Sequence, residues 1–156
     1  MGQHILGLAI SMAICFAAAG IGSLLTTPSV GGWYAGIAKP WWTPPNWVFG
    51  PVWSTLYAMM AVGAWLVWRR GGAEIRLALM LFATQLVLNV AWSGLFFALR
   101  LPGVAFAEIL LLWLAIGATA LIFGRISVAA GLLFVPYFAW VSFAAILNLA
   151  IWRLNA

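Results

Sequence analysis

The sequence predicts an all-α integral membrane protein: five transmembrane helices in a bundle, with a structured Trp/Pro-rich loop between helices 1 and 2. Three observations predict it. The chain is 67% hydrophobic and only 6% charged, whereas charged residues make up about a quarter of a soluble chain. It contains five apolar runs, each near the roughly 20 residues that a spanning helix needs. The breaks between them carry charge, Gly or Pro. Backbone polar groups cannot stay unpaired in lipid, so the runs are helices rather than open strands. The 156 residues leave room for one transmembrane domain, 1–156, and no soluble module.

The first helix is expected over about 5–25. An Ala17-Ala18-Ala19 run resembles a signal-peptidase site, but nothing basic precedes it and the apolar run continues to Leu25, which argues against a cleaved leader. The second helix is expected over about 47–68, ended by Arg69-Arg70-Gly71-Gly72. The third runs over about 75–99, ended by Arg100-Leu101-Pro102-Gly103. The fourth covers about 103–123 and the fifth about 127–152, with Gly124-Arg125 between them. Short connections after the second helix make neighbours antiparallel. Arg69, Arg70, Arg76 and Arg125 fall on the N-terminal side, against Lys39, Arg100 and Arg153 on the other, which leans toward a cytosolic N-terminus. The localisation expected is a multi-pass membrane protein. A short chain with minimal tails fits a bacterial protein better than an animal one.

Residues 33–57, WYAGIAKPWWTPPNWVFGPVWSTLY, hold five of the eleven Trp, four of the seven Pro and the only Lys, Lys39. Long ordered loops in compact proteins are usually functional. Stiff residues and flat apolar side chains at a membrane boundary suit a loop that keeps a shape and covers a cavity for a flat, greasy ligand.

Several chemistries are excluded. The net charge of +5 is scattered at helix ends, the ordinary membrane pattern, and does not indicate nucleic acid. One His, His4, and one Cys, Cys15, provide no ligand pair with metal spacing. The chain has no Asp and no hydrolytic triad. Cys15 lies within an apolar run and is expected to be a small buried residue.

Spacing picks out candidate faces. Gly7, Ser11, Cys15, Ala19 and Ser23 recur every four residues on the first helix. Such small faces let helices approach closely in lipid, inside a monomer or across a dimer. Gly94 and Ala98 form a shorter face of the same kind. Gln85 and Asn89 stack one turn apart on the third helix, near Trp92 and Ser93. Buried amides must pair, either with other helices or with a ligand. The fifth helix carries Pro136, Trp140, Ala144 and Asn148 in one stripe, where Pro136 can kink the helix and open a pocket. Trp53 and Tyr57 share a face of the second helix. Trp53 should sit about 9 Å into that helix at 1.5 Å per residue, too deep for an interfacial anchor. Glu108, the one acid inside a span, lies about one turn into the fourth helix and is expected to snorkel to the interface.

These residues resemble the signature of the TspO/MBR family of tryptophan-rich sensory proteins, translocator proteins and peripheral-type benzodiazepine receptors. The loop motif is Trp33-Tyr34, Lys39-Pro40, Trp42, Pro44-Pro45, Trp47, Gly50-Pro51-Val52-Trp53 and Leu56-Tyr57. Gln85-Leu86, Asn89 and Trp92 resemble the third-helix motif. Pro136-Tyr137, Ala139-Trp140, Phe143, Leu147-Asn148 and Trp152-Arg153 resemble the fifth.

The resemblance implies a receptor or carrier, usually a homodimer, with a pocket under the loop for porphyrins including haem, other tetrapyrroles and drug-like aromatics of the benzodiazepine-site type. No cofactor is obligatory. By position the pocket would use Trp53, Asn89, Trp140 and Ala144, with Trp33, Trp42 and Phe49 from the loop and its edge. Tyr57, Trp92 and Asn148 share their faces. Lys39 could pair with a propionate. The resemblance implies two alternatives: light-dependent porphyrin degradation through Trp53 and Trp140 as catalytic residues, and cholesterol or lipid transport. For the sterol reading there is a departure. No basic residue lies among the five residues after Tyr137, where the animal motif has one.

Overall fold

A computed structural model describes residues 2–156. Seven helices follow in chain order: α1 Gly2–Val30, α2 Trp33–Gly36, α3 Asn46–Arg70, α4 Ile75–Ser93, α5 Pro102–Ile126, α6 Val128–Leu133 and α7 Val135–Leu154. No strand occurs among the described residues. Five helical stretches are long and apolar enough to cross a membrane, α4 counted with the turn that extends it and α6 with α7.

The expected spans are all present, with informative edges. α1 continues five residues past Leu25, through Thr26, Thr27 and Pro28. Pro28 falls in the last turn. Thr27 returns its hydroxyl to the Ser23 carbonyl at 2.8 Å, so polar side chains are satisfied locally. α4 extends into a π-helical turn, Gly94–Ala98, closed by Leu99 N–H on the Gly94 carbonyl at 2.8 Å. Such wide turns are frequent at functional sites. Here the turn buries Phe96 and brings Phe97 to a cavity wall. The fifth span is broken at Phe134, one residue before α7 begins and two before Pro136, which lacks the N–H to continue the α6 ladder. Gly71 and Gly72, both at positive φ, make the α3–α4 turn.

α1 lies along α3 and touches α4, while α5 packs between α4 and α7. Met60, Ile109, Ile116, Phe123, Phe134 and Tyr137 fill the centre. At the end away from the loop, α5 and α6 meet backbone to backbone: a Cβ on Gly131 would come within 2.7 Å of the Gly124 Cα.

Most of the small-residue ladder on α1 has neighbours inside the chain. Gly7 leaves room for the Trp68 ring, since a Cβ there would clash with it. Ser11 donates to the Ala61 carbonyl at 2.7 Å. Cys15 is fully buried. Ala19 borders a cavity. Gly94 faces Leu25 of the same chain, and Ala98 is exposed.

Candidate functional site: a cavity beneath the helix 1–2 loop

At the loop end of the bundle lies a cavity of about 480 Å³, within the usual range for small-molecule sites. α1 supplies one wall, from Phe16 to Val30. α3 supplies Asn46, Phe49, Gly50, Trp53, Ser54 and Tyr57. α4 and its π turn supply Asn89, Trp92, Ser93 and Phe97, and α7 supplies Trp140 and Ala144. Tyr34 of α2 closes the loop side.

The aromatic side chains hold one another edge to face, tilted or stacked, so the rings that reach the cavity have fixed orientations. Phe49 meets Trp140 at 5.8 Å between centroids, and Trp53 meets Tyr57 at 5.7 Å and Tyr137 at 6.2 Å. Trp92 stacks on Phe96 at 5.3 Å.

Behind the rings runs a closed polar network. Tyr57 donates to the Asn89 amide oxygen at 2.7 Å, and the Asn89 amide nitrogen donates to the Tyr137 hydroxyl at 2.8 Å. Tyr137 in turn donates to the Gln85 amide oxygen at 3.0 Å. The two amides one turn apart on α4 thus tie α3 to α7. Asn89 serves as glue and also borders the cavity. In a lipid-embedded core each of these bonds replaces an unpaired polar group, which is the costly alternative.

The loop is pinned rather than free. The Lys39 ammonium donates to the carbonyls of Tyr34 at 2.6 Å, Ile37 at 3.0 Å and Ala35 at 3.3 Å, and sits 5.0 Å above the Tyr34 ring. It therefore caps the C-terminal end of α2, where a cation is favoured, and does not border the cavity. The expected pairing with a ligand carboxylate is corrected accordingly. Ala38 and Asn155 exchange two hydrogen bonds, at 3.0 and 2.9 Å, which tie the loop to the end of α7. Ser29 donates to the Phe97 carbonyl at 2.7 Å. Burial raises the Tyr34 phenol above its ordinary pKa.

The predicted site residues therefore divide. Phe49, Trp53, Tyr57, Asn89, Trp92, Trp140 and Ala144 converge on the cavity. Trp33, Trp42 and Asn148 stand outside it. Trp33 packs on Phe96 at 5.8 Å and Trp42 on Phe143 at 5.8 Å. Asn148 accepts from Trp92 at 3.0 Å and donates to the Pro102 carbonyl at 2.7 Å. These three support the wall from behind. Trp41 and Trp47 point outward, 95% and 75% exposed, as interfacial anchors do.

Glu108 is a second correction. It does not reach the interface: it is 9% exposed, and neither carboxylate oxygen has a hydrogen-bond partner among the described residues. Sequence reasoning also missed the α1 wall, with Gly20, Gly22, Ser23, Thr26 and Thr27. Its signal was the cluster of Gly and hydroxyl residues at the end of an otherwise apolar run.

A model of the TspO/MBR family matches residues 11–153. The chain belongs to the TspO/MBR family. It is 41% identical to the tryptophan-rich protein TspO of Chlorobaculum tepidum, over 99% of each chain. It is 40% identical to the tryptophan-rich protein TspO of Archaeoglobus fulgidus, over 99% of this chain and 100% of that one. The translocator protein of Homo sapiens is 44% identical over 79% of this chain and 75% of its own length. The loop, α3, α4 and α7 motifs all fall inside the matched region, and the protein is a multi-pass membrane protein of this family.

Proposed function

We propose that this protein is a membrane receptor or carrier for flat aromatic ligands, tetrapyrroles foremost, held in the cavity beneath the loop, in a bacterial membrane. The observation that carries the reading is the wall itself. Trp53, Trp92, Trp140 and Phe49, on three helices, border one cavity of about 480 Å³, with the Tyr57–Asn89 pair behind them. A porphyrin is a π-surface with polar groups at one edge. Ring stacking supplies its affinity, and the hydroxyls of Ser23, Thr26 and Thr27 supply partners for its edge.

The lining holds no His or Cys, and His4 lies about 18 Å along α1 from Phe16 at 1.5 Å per residue. Affinity therefore rests on the macrocycle and not on an axial bond to a metal. Metal-free protoporphyrin should bind at least as well as haem, and His4→Ala should change neither. The test is a pair of titrations in the dark. Haem binding far more tightly, and losing that advantage on His4→Ala, would overturn the reading.

The shared cavity of Trp53 and Trp140 also favours a second reading, light-dependent porphyrin degradation with dioxygen as oxidant. Trp53→Phe and Trp140→Phe separate the two. Retained dark binding with loss of light-driven porphyrin bleaching supports the enzyme. Bleaching at the wild-type rate leaves the receptor reading standing alone.

A further inference from the structure

The cavity beneath the loop is shut toward the loop and open toward the bilayer. Tyr34, its roof, is 5% exposed, and the loop around it is pinned through Ser29, Ala38 and Lys39. The lining residues of α4, its π turn and α7 are buried or half-buried. The exposed lining residues all stand on α1 and α3. Phe16, Gly20, Ser23 and Thr27 recur at helical spacing along one stripe of α1. Asn46, Gly50 and Ser54 recur every four residues on α3. A residue both lines a cavity and meets the surroundings only where the cavity opens, so these stripes are the two sides of a mouth. From Asn46 to Ser54 the mouth descends about 12 Å at 1.5 Å per residue, most of the ~15 Å depth of one hydrocarbon leaflet. It opens on acyl chains.

Glycine keeps this mouth wide. A Cβ added to Gly20 or Gly50 would meet no atom within 4 Å. Gly7 differs, since a Cβ there would run into the Trp68 ring. Gly20 and Gly50 therefore serve no close helix contact, although glycine is a poor helix former. Larger side chains at the two positions would fill the space between the helices instead. Further along, the same pair of helices is closed: Ser11 bonds Ala61 at 2.7 Å and Cys15 is fully buried. On its other flank α1 makes a groove of about 640 Å³ with α3 and α4, toward the turn that carries Arg69, Arg70 and Arg76. That groove and the loop-end cavity share no lining residue.

We propose that ligand enters and leaves the cavity sideways, from the bilayer, through the seam between α1 and α3, and that Gly20 and Gly50 hold this seam open. The inference rests on the aromatic-ligand reading above and adds its route. The ligand class that fits is a flat molecule already dissolved in the membrane. It passes edge-on between the two glycines, and its face then meets Trp53, the neighbour of Ser54 on the wall. Its polar edge stays toward Thr27 and Asn46, at the helix ends. The alternative route, under the loop, breaks the three bonds of Lys39 and the two between Ala38 and Asn155. The lateral route breaks none of them.

The test uses the full chain in phosphatidylcholine vesicles and follows dark Trp quenching by protoporphyrin in stopped flow, with uptake by empty vesicles as the reference. Gly20→Phe/Gly50→Phe puts two rings into the free space of the mouth. Association and dissociation should both slow, by about tenfold or more, while the dissociation constant stays within about threefold. Gly20→Ala/Gly50→Ala adds only methyl groups and should keep rates near the wild type. Gly36→Phe is the control on the roof, where an added Cβ also meets nothing within 4 Å, and should leave both rates unchanged. Circular dichroism reports folding, and Gly50→Phe alone, expected to slow both rates severalfold, serves if the double variant does not fold. Saturable binding with rates unchanged by rings in the mouth would overturn the lateral route and leave the cavity reading intact. So would rates slowed by Gly36→Phe, or affinity lost with no slower dissociation. Binding that never saturates in the wild type would overturn the cavity reading and the route together.

Discussion

The two ends of this bundle hold concavities of similar size, about 480 Å³ under the loop and about 640 Å³ at the arginine turn, yet they differ in chemistry. The loop-end cavity is walled by five helices' side chains, with fixed rings and a polar network of Tyr57, Asn89, Tyr137 and Gln85 behind it. The opposite groove is apolar along its length, with Trp65, Trp68 and Phe82 among its lining, and its charge lies at one end. A cavity of the first kind recognises a molecule by shape and by polar groups at set positions. A groove of the second kind offers apolar surface with charge at one end only. In a lipid solvent, then, apolar area alone confers little selectivity, and the placement of a few polar groups confers most of it.

Four substitutions break or sharpen that contrast. The largest effect is expected from Asn89→Leu. It leaves the buried Tyr57 and Tyr137 hydroxyls short of partners, at about 1–3 kcal/mol for each unsatisfied group. The thermal midpoint in detergent should drop, and porphyrin binding with it. Next is Trp140→Leu, which removes one ring and its contact with Phe49. The loss of about 0.5–1.5 kcal/mol of aromatic interaction should weaken protoporphyrin about two- to tenfold and leave the midpoint nearly unchanged. Lys39→Met releases three carbonyls at the end of α2, which water can partly satisfy at this half-buried position. Its main signature should be faster porphyrin dissociation in stopped flow, by about two- to fivefold if roughly 0.5–1 kcal/mol of loop ordering is lost. Arg69→Gln/Arg76→Gln should leave porphyrin affinity unchanged, because the arginine turn lies at the other end of α3. A coupled loss would mean that the two ends are not independent.

The fold was largely legible because lipid imposes one rule: about 20 apolar residues, then charge, Gly or Pro. Spacing by four also exposed the α3, α4 and α7 walls, since Trp53 with Tyr57, Gln85 with Asn89, and Trp140 with Ala144 each share a helix face. The α1 wall was hidden for a physical reason. A small residue serves equally well where a neighbour packs close and where a cavity must stay open, and Gly7 and Ala19 do one each. Lys39 was misread because its acceptors are backbone carbonyls, created only when the loop folds into α2. Glu108 was placed by depth along its helix, whereas its azimuth decides burial. Ala105, Ile109 and Leu112, at three before, one after and four after, lie on the buried face of α5.

The most direct measurement is a dark titration of intrinsic Trp fluorescence with protoporphyrin for wild type and Ala144→Phe. Ala144 sits on the cavity wall beside Trp140 and far from the groove. The cavity account predicts saturable quenching in the wild type and affinity reduced about tenfold or more, ~1.4 kcal/mol per decade, when the added ring occupies the space. Quenching that never saturates, or that is indifferent to Ala144→Phe, would contradict it and place the porphyrin in the surrounding lipid or detergent.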